Sequence, residues 1–238
     1  MLSHVAALPE IWQEISDYLD QSDLAHLTRV SKEFNVITEK YLYRKITWRW
    51  DHSRPDNAAP IHQIFLNILR RPELALYVYE LRVTGIGYGP KPRLVGATPI
   101  LSQDQDVALS MVQEAGLPHP EGWITKLCEL DVETIVALII LQLPNIQTLV
   151  IDMFHRDDGY GSPVPHFSPI GDVLRLRATK LERLTEVHWP SKDFDCHSYL
   201  IRRGEVLDML PILRAPRLQK ASLKLSTPTA SDDDNSTN

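Results

Sequence analysis

Apolar residues recur at helical spacing through the first forty or so positions. Ile11, Ile15 and Leu19 fall four apart, Leu24 and Leu27 three apart, and Phe34, Ile37 and Tyr41 three and four apart. The pattern predicts three short helices. Pro9 suits a first helical position because its missing N–H would be unpaired there, and Glu10 and Glu14 set negative charge near the helix's positive end. Ser22 and Ser31 can cap the second and third helices. Helices this short cannot hide all that apolar surface among themselves, so part of it must face something else.

Beyond a stretch with the Asp, Asn, Ser and Pro content of a loop, Trp48 to Pro60, helical and alternating periods take turns. Pro60 opens a helix carrying Ile61, Ile64, Phe65, Ile68 and Leu69, with Arg70 and Arg71 at its negative end and Pro72 stopping it. A strand follows from Glu80 to Thr84, with Leu81 and Val83 alternating with polar neighbours. The same order returns three times. Asp131 caps a helix to Leu143, followed by a strand from Thr148 to Asp152. Ser168 and Pro169 start a helix through Ile170, Val173 and Leu174, followed by a strand with Val187 and Trp189. Val206, Leu207 and Leu210 mark a last helix, running to Leu213, followed by a strand across Ala221, Leu223 and Leu225.

Superposed, the strands share a phrase: Val78…Leu81-x-Val83, Ile146…Leu149-x-Ile151, Leu184…Val187-x-Trp189 and Leu218…Ala221-x-Leu223. The phrase is leucine-rich-repeat-like. Its intervals, 149 − 81 = 68, 187 − 149 = 38 and 221 − 187 = 34, are irregular and longer than the ~20 to 29 residues of regular repeats of that type. The longest interval holds an insertion. Ser102 with Gln105 forms a capping box, Val107, Ala108, Met111, Val112 and Ala115 continue a helix closed by Gly116 and Pro118, and a shorter helix surrounds Trp123, Ile124 and Leu127. This insertion reads either as extra helices of an irregular repeat or as a lid on the edge of the array. The expected fold class is α/β, a three-helix module followed by an irregular leucine-rich-repeat-like solenoid of helix-strand units. An ordinary α/β domain with a doubly wound sheet predicts the same alternation.

In order and without a gap, Leu8-Pro9, Ile11, Ile15, Tyr18-Leu19, Asp23-Leu24, Leu27, Val30-Ser31-Lys32, Phe34 and Leu42-Tyr43 resemble an F-box. Ser31 stands where many F-boxes have Cys. The resemblance implies docking on the Skp-family adaptor, and through it the cullin, of an SCF-type ubiquitin ligase. On that reading Leu8, Pro9, Ile11, Ile15, Leu19, Leu24, Leu27, Val30 and Phe34 carry the adaptor contact, and the rest of the chain holds a protein substrate. The implied organisation is an F-box at 1–48, a binding region at 49–225 and a polar tail at 226–238, expected to be disordered for want of large apolar residues. A cytoplasmic or nuclear location goes with it.

Charge and chemistry narrow this picture without redirecting it. The net charge of −6 and pI near 5.8 offer no basic surface to follow phosphates, so nucleic acid is not expected as a partner. Cys128 and Cys196 belong to no metal-ligand spacing and suit a reducing compartment. Neither a signal peptide nor a membrane span is expected, since the longest apolar run, Ile135 to Leu141, is far below the ~20 residues a span needs and reads as a buried helix. Gly85, Gly87 and Gly89 follow a strand, but Pro90 and Pro92 stand where a phosphate-binding helix should begin, leaving a turn. Asp193, Asp195, Cys196 and His197 have metal-ligand atoms packed too closely for a fixed site. His155, Arg156, Asp157 and Asp158 lie just past a strand end and are the candidates for reading a partner from a rim loop. Trp48, Trp50, Trp123 and Trp189 read as core more readily than as interface anchors. No nucleophile with a nearby base, no cofactor and no metal is expected, which points to a non-catalytic adaptor. The rival readings are an F-box interaction protein that binds the adaptor without a degraded substrate, and an α/β enzyme with an unrecognised site.

Overall fold

The computed structural model describes residues 9–51, 59–86, 99–152, 169–189 and 210–223. Three helices come first: α1 (Pro9–Asp17), α2 (Gln21–Leu27) and α3 (Lys32–Leu42). Ser31 caps α3 as expected, its hydroxyl accepting from the Phe34 N–H at 3.2 Å. The cap of α2 is Asp20 and not Ser22: the carboxylate two residues earlier accepts from the Asp23 N–H at 2.8 Å.

A strand, β1 (Lys45–Asp51), follows directly, so the loop expected from Trp48 onward does not begin there. Ile46 and Trp48 are buried in the main core while Thr47 between them and Arg49 after them are exposed, the alternation of a half-buried strand. The boundary expected between residues 48 and 49 therefore cuts a strand. Next come α4 (Ala59–Arg70), a 3₁₀ turn at Pro72–Tyr77, β2 (Glu80–Ile86), α5 (Ser102–Ala115), α6 (Pro120–Cys128), α7 (Val132–Gln142) and β3 (Thr148–Asp152). The chain then forms α8 (Pro169–Arg177), a short 3₁₀ turn at Ala178–Lys180, β4 (Glu186–Trp189), a 3₁₀ turn at Leu210–Arg214 and β5 (Lys220–Leu223). The last helix expected from Val206 is described only from Leu210, where it is 3₁₀. Ser102 is the first residue of α5 and not its cap, and the Gln105 amide donates to the Ile100 carbonyl at 2.9 Å. Gly116 ends α5 in the left-handed conformation, φ 73°, which a residue without Cβ adopts at no steric cost.

All five strands are parallel and lie in chain order, β1-β2-β3-β4-β5. A doubly wound sheet reverses its order at a switch point, and among the described strands the order never reverses. The shared phrase is realised as register. Ile46 pairs Leu81, Leu81 pairs Leu149, Leu149 pairs Val187 and Val187 pairs Ala221. Trp48, Val83 and Ile151 form the second inward row, with Trp189 and Leu223 paired beyond them. Tyr43…Ile46-x-Trp48 is thus a further copy of the phrase, 81 − 46 = 35 residues ahead of the next.

Each copy is joined to the last by one repeated hydrogen-bonding device. The Arg44 carbonyl accepts the N–H groups of Tyr79 and Glu80. Tyr79 accepts those of Gln147 and Thr148, Gln147 those of Thr185 and Glu186, and Thr185 those of Gln219 and Lys220.

Strands added in one direction, with crossovers of one hand, put every crossover on the same face. Accordingly α4 packs against α7, and α7 against α8, in one layer. The chain's long apolar run lies on α7, buried at every position from Val132 to Leu141. The insertion is no lid. Ala108, Val112, Trp123 and Leu127 belong to the same core as the sheet, and the Trp123 indole N–H donates to the Pro118 carbonyl at 3.0 Å. Arg70 joins α4 to α5 through both oxygens of the buried Asp104, at 3.0 and 2.7 Å. His62 lies buried on α4 with its Nε2 unpartnered. Burial, then the positive charge of Arg70, holds its imidazole below the ordinary value of 6.5, against a smaller upward pull from Asp104.

Two outcomes follow for stability. Leu149→Ala, which empties a fully buried site on the central strand, should cost about 3 kcal/mol in chemical denaturation, whereas Val36→Ala on the exposed side of α3 should stay within about 0.5 kcal/mol. Because the folded-state pKa of His62 is depressed, its neutral form contributes fully above pH 6.5, and that stability is lost as pH falls below 6.5 while the unfolded chain takes up the proton. His62→Leu should flatten the denaturation midpoint between pH 6.5 and 5 relative to the parent chain. An unchanged slope would show that His62 does not couple to folding.

Candidate functional site

The helical module closes a small core of its own. Trp12, Leu24 and Tyr41 are buried there, with Leu19, Phe34, Ile37 and Leu42 packed against them. Trp12 meets the Phe34 ring edge-on, centroids 5.5 Å apart at 83°. Since Trp12 and Ser16 turn inward on α1, Ile11 and Ile15 turn outward, 42% and 38% exposed. Tyr18, three residues on, is 91% exposed. Val30, between α2 and α3, is 65% exposed, and Val36 on α3 is 77% exposed. Solvent therefore meets several large apolar side chains on a module whose interior is already filled.

The expected adaptor contacts divide along this line. Ile11, Ile15 and Val30 are exposed. Leu24 is buried, Leu19 and Phe34 pack on the small core, and Leu27 is partly buried. Pro9 is the first residue of α1, and Leu8 lies outside the described residues. Tyr18 and Val36 were not singled out from sequence as contacts. Tyr18 continues the spacing of Ile11 and Ile15 and was legible on that ground, whereas Val36 follows no periodic signal.

The module is tied to α4, to the residue that follows it and to β1. Arg71 grips both oxygens of Glu39 on α3 at 2.6 and 2.8 Å and also reaches Glu73 at 2.9 Å, which drives its pKa up. The Asn67 amide donates to the Tyr43 hydroxyl at 3.0 Å, and the Gln21 amide donates to the Lys45 carbonyl on β1. Arg44 pairs with Asp17 at 3.4 Å.

The family model described as F-box-like matches residues 8 to 49. This segment is an F-box-like domain. F-box domains bind Skp-family adaptors, and proteins that carry them are generally non-enzymatic adaptors. No curated protein and no solved structure matches the chain. The match ends at Arg49, inside β1, so the F-box-like domain supplies the first strand of the sheet.

A second surface lies on the sheet face opposite the helices. Its first row, in register, is Lys45, Glu80, Thr148, Glu186 and Lys220, and its second is Thr47, Arg82, Val150, His188 and Ser222. Each glutamate is shared by two basic side chains. Glu80 pairs with Lys45 at 3.5 Å and with Arg82 on its own strand. Glu186 accepts from Lys220 at 2.5 Å and meets His188 Nε2 at 2.7 Å. The Lys220 bond, then the His188 bond, lowers the Glu186 carboxyl to about 2. Sequence reading missed this arrangement, because partners 34 residues apart meet only through the register of β4 and β5.

Of the residues expected to matter elsewhere, His155 to Asp158, Asp193 to His197, Gly87, Gly89 and the tail at 226–238 lie outside the described residues. Trp48 and Trp123 are core, and Trp189 packs partly buried against it. Among the described residues no group of three or more His, Cys, Asp or Glu side chains could hold a metal, and no helix is long and apolar enough to cross a membrane.

The depressed pKa of Glu186 fixes a pH window. A carboxyl lowered from 4.5 to about 2 contributes stability above pH 4.5 and loses it as pH falls toward 2. Glu186→Gln should therefore leave a shallower acid limb below pH 4.5 in thermal denaturation and no change in slope between pH 5 and 6. A difference confined to the higher range would assign the effect to another group.

Proposed function

We propose that the chain docks through its F-box-like domain on the Skp-family adaptor of an SCF-type ubiquitin ligase and holds a protein target for ubiquitin transfer by other subunits. One observation carries this reading: Ile11 and Ile15 on α1, with Tyr18 just past its end, form an exposed apolar stripe while Trp12, Leu24 and Tyr41 already close the module's core. Surface of that kind, left in water on a finished core, calls for a partner. The remainder of the chain is read as a leucine-rich-repeat-like solenoid. Support comes from five copies of one phrase in register and from the repeated carbonyl device between them. Intervals of 35, 38 and 34 residues bracket the one of 68, which carries α5 and α6 besides its own helix. A target receptor needs a body fixed relative to its adaptor site, and the ties from Arg71 to Glu39 and from Asn67 to Tyr43 favour such an arrangement. The cytoplasm or nucleus is the workplace this reading implies.

Ile11→Asp combined with Ile15→Asp should weaken binding to the purified adaptor at least about tenfold in calorimetry, as expected for charges placed in an apolar contact, with an unchanged denaturation midpoint. Full affinity in that variant, or no binding by the parent chain at micromolar concentration, would defeat the docking reading. Accumulation of a bound protein when the chain is removed from cells, together with co-purification of a cullin, would distinguish target degradation from simple adaptor binding.

A further inference from the structure

From two basic turns at the starts of β4 and β5 we infer that the last two units hold the chain's own acidic segment, Asp232 to Asp234. The inference goes beyond adaptor docking and concerns how the C-terminal end of the array is neutralised.

The two turns are copies, 218 − 184 = 34 residues apart. In the first the Leu184 N–H donates to the Leu181 carbonyl at 3.1 Å, and in the second the Leu218 N–H donates to the Ala215 carbonyl at 3.2 Å. Side chains three apart share one side of such a turn. Ala178, Leu181 and Leu184 are buried in the first, and in the second Ile212 and Ala215 are buried with Leu218 packed on the core. The residues between them therefore face water. At matching places these are Lys180 and Arg214, and Arg183 and Arg217, all four exposed. The Thr185 carbonyl, accepting from Gln219 and Lys220, sets the second turn beside the first at one strand spacing, about 5 Å.

Like charge thus stands beside like charge twice, which destabilises adjacent strands. None of the four cations has an ion-pair partner among the described residues, and Glu182 is the one carboxylate on either turn. The open sheet face avoids this crowding by placing Glu80 and Glu186 between basic neighbours, an arrangement these turns lack. In the preceding unit the matching residues are Gln142 and Asn145, so the positive excess is confined to the last two units.

On a chain of net charge −6, Asp232 to Asp234 is the one run of three consecutive like charges. It begins 232 − 223 = 9 residues after the end of β5, and nine residues span up to ~30 Å. The turns lie at the other end of β5, whose four residues cover about 13 Å, so the segment reaches them with slack. The stretch between β4 and the second turn offers a weaker complement, since its four acidic residues are mixed with three basic ones. Tethering makes the encounter intramolecular, so pairs that are individually weak suffice.

Carbodiimide coupling joins an amine to a carboxylate only where the two touch. The test applies it to the full chain without the adaptor, as an equal mixture of ¹⁵N-labelled and unlabelled protein, so failure of adaptor docking is read separately. Mass spectrometry should find Lys180 coupled to Asp232, Asp233 or Asp234 of the same chain. High salt, or Arg183→Gln combined with Arg217→Gln, should lower that yield at least about threefold. Asp232→Asn, Asp233→Asn and Asp234→Asn together leave every described residue in place and should uncover the turns. A labelled peptide of the sequence Ser-Asp-Asp-Asp-Asn-Ser should then bind at least about threefold tighter than to the parent chain in fluorescence anisotropy, a gain that a misfolded variant cannot mimic. Coupling of Lys180 to an acid between residues 190 and 209, coupling between labelled and unlabelled chains, coupling to Glu182 alone, or equal peptide affinity of parent and variant would each overturn the proposal.

Discussion

In a parallel sheet that grows one strand at a time in a single direction, each new strand must satisfy the backbone before it while offering apolar side chains at the same two positions. The carbonyls of Arg44, Tyr79, Gln147 and Thr185 meet the first demand, each receiving two N–H groups from the next unit. This junction sets the strand start, and the start sets which residues turn inward. A slip of one residue would expose Leu81, Leu149 and Val187 and bury Glu80, Thr148 and Glu186. The junction therefore governs the core, and through it the one-sided helix layer and the open face.

The coupling of the F-box-like domain to the sheet follows from the same geometry. Because β1 belongs to both, no linker separates them, and Arg44, two residues after α3, already serves as the first carbonyl of the series. Glu39 and Tyr43 then hold the helices against Arg71 and α4, and Gln21 holds them against β1. Two cores joined without a linker and by several directional bonds have few soft degrees of freedom between them. A protein proposed to keep a target at a set distance from an adaptor gains from that stiffness.

How much of this was legible depended on whether the controlling signal was local. The strands around Leu81, Leu149 and Val187 and the buried α7 were readable, because side-chain period and apolar run length are properties of a few adjacent residues. Trp48 to Asp51 was misread because the Asp, Ser and Pro content just beyond it outweighed the alternation of Ile46, Thr47, Trp48 and Arg49. Caps slipped for a similar reason. Asp20 and Ser22 are both competent, and only the backbone turn chooses between them. The list of expected adaptor contacts mixes exposed Ile11 and Ile15 with Leu24 and Phe34 of the small core, because sequence cannot say which apolar residues of a small module close its core. The open face was beyond reach, since a polar residue in a strand is compatible with any solvated surface until a register is known.

Why the glutamates recur at matching positions has a physical answer in the sheet. Without Glu80, Lys45 and Arg82 would crowd like charge onto neighbouring strands less than 5 Å apart, and without Glu186 the same would hold for His188, when protonated, and Lys220. A carboxylate between them lets basic residues stand together on one face at little cost to folding, because each carboxylate serves two of them.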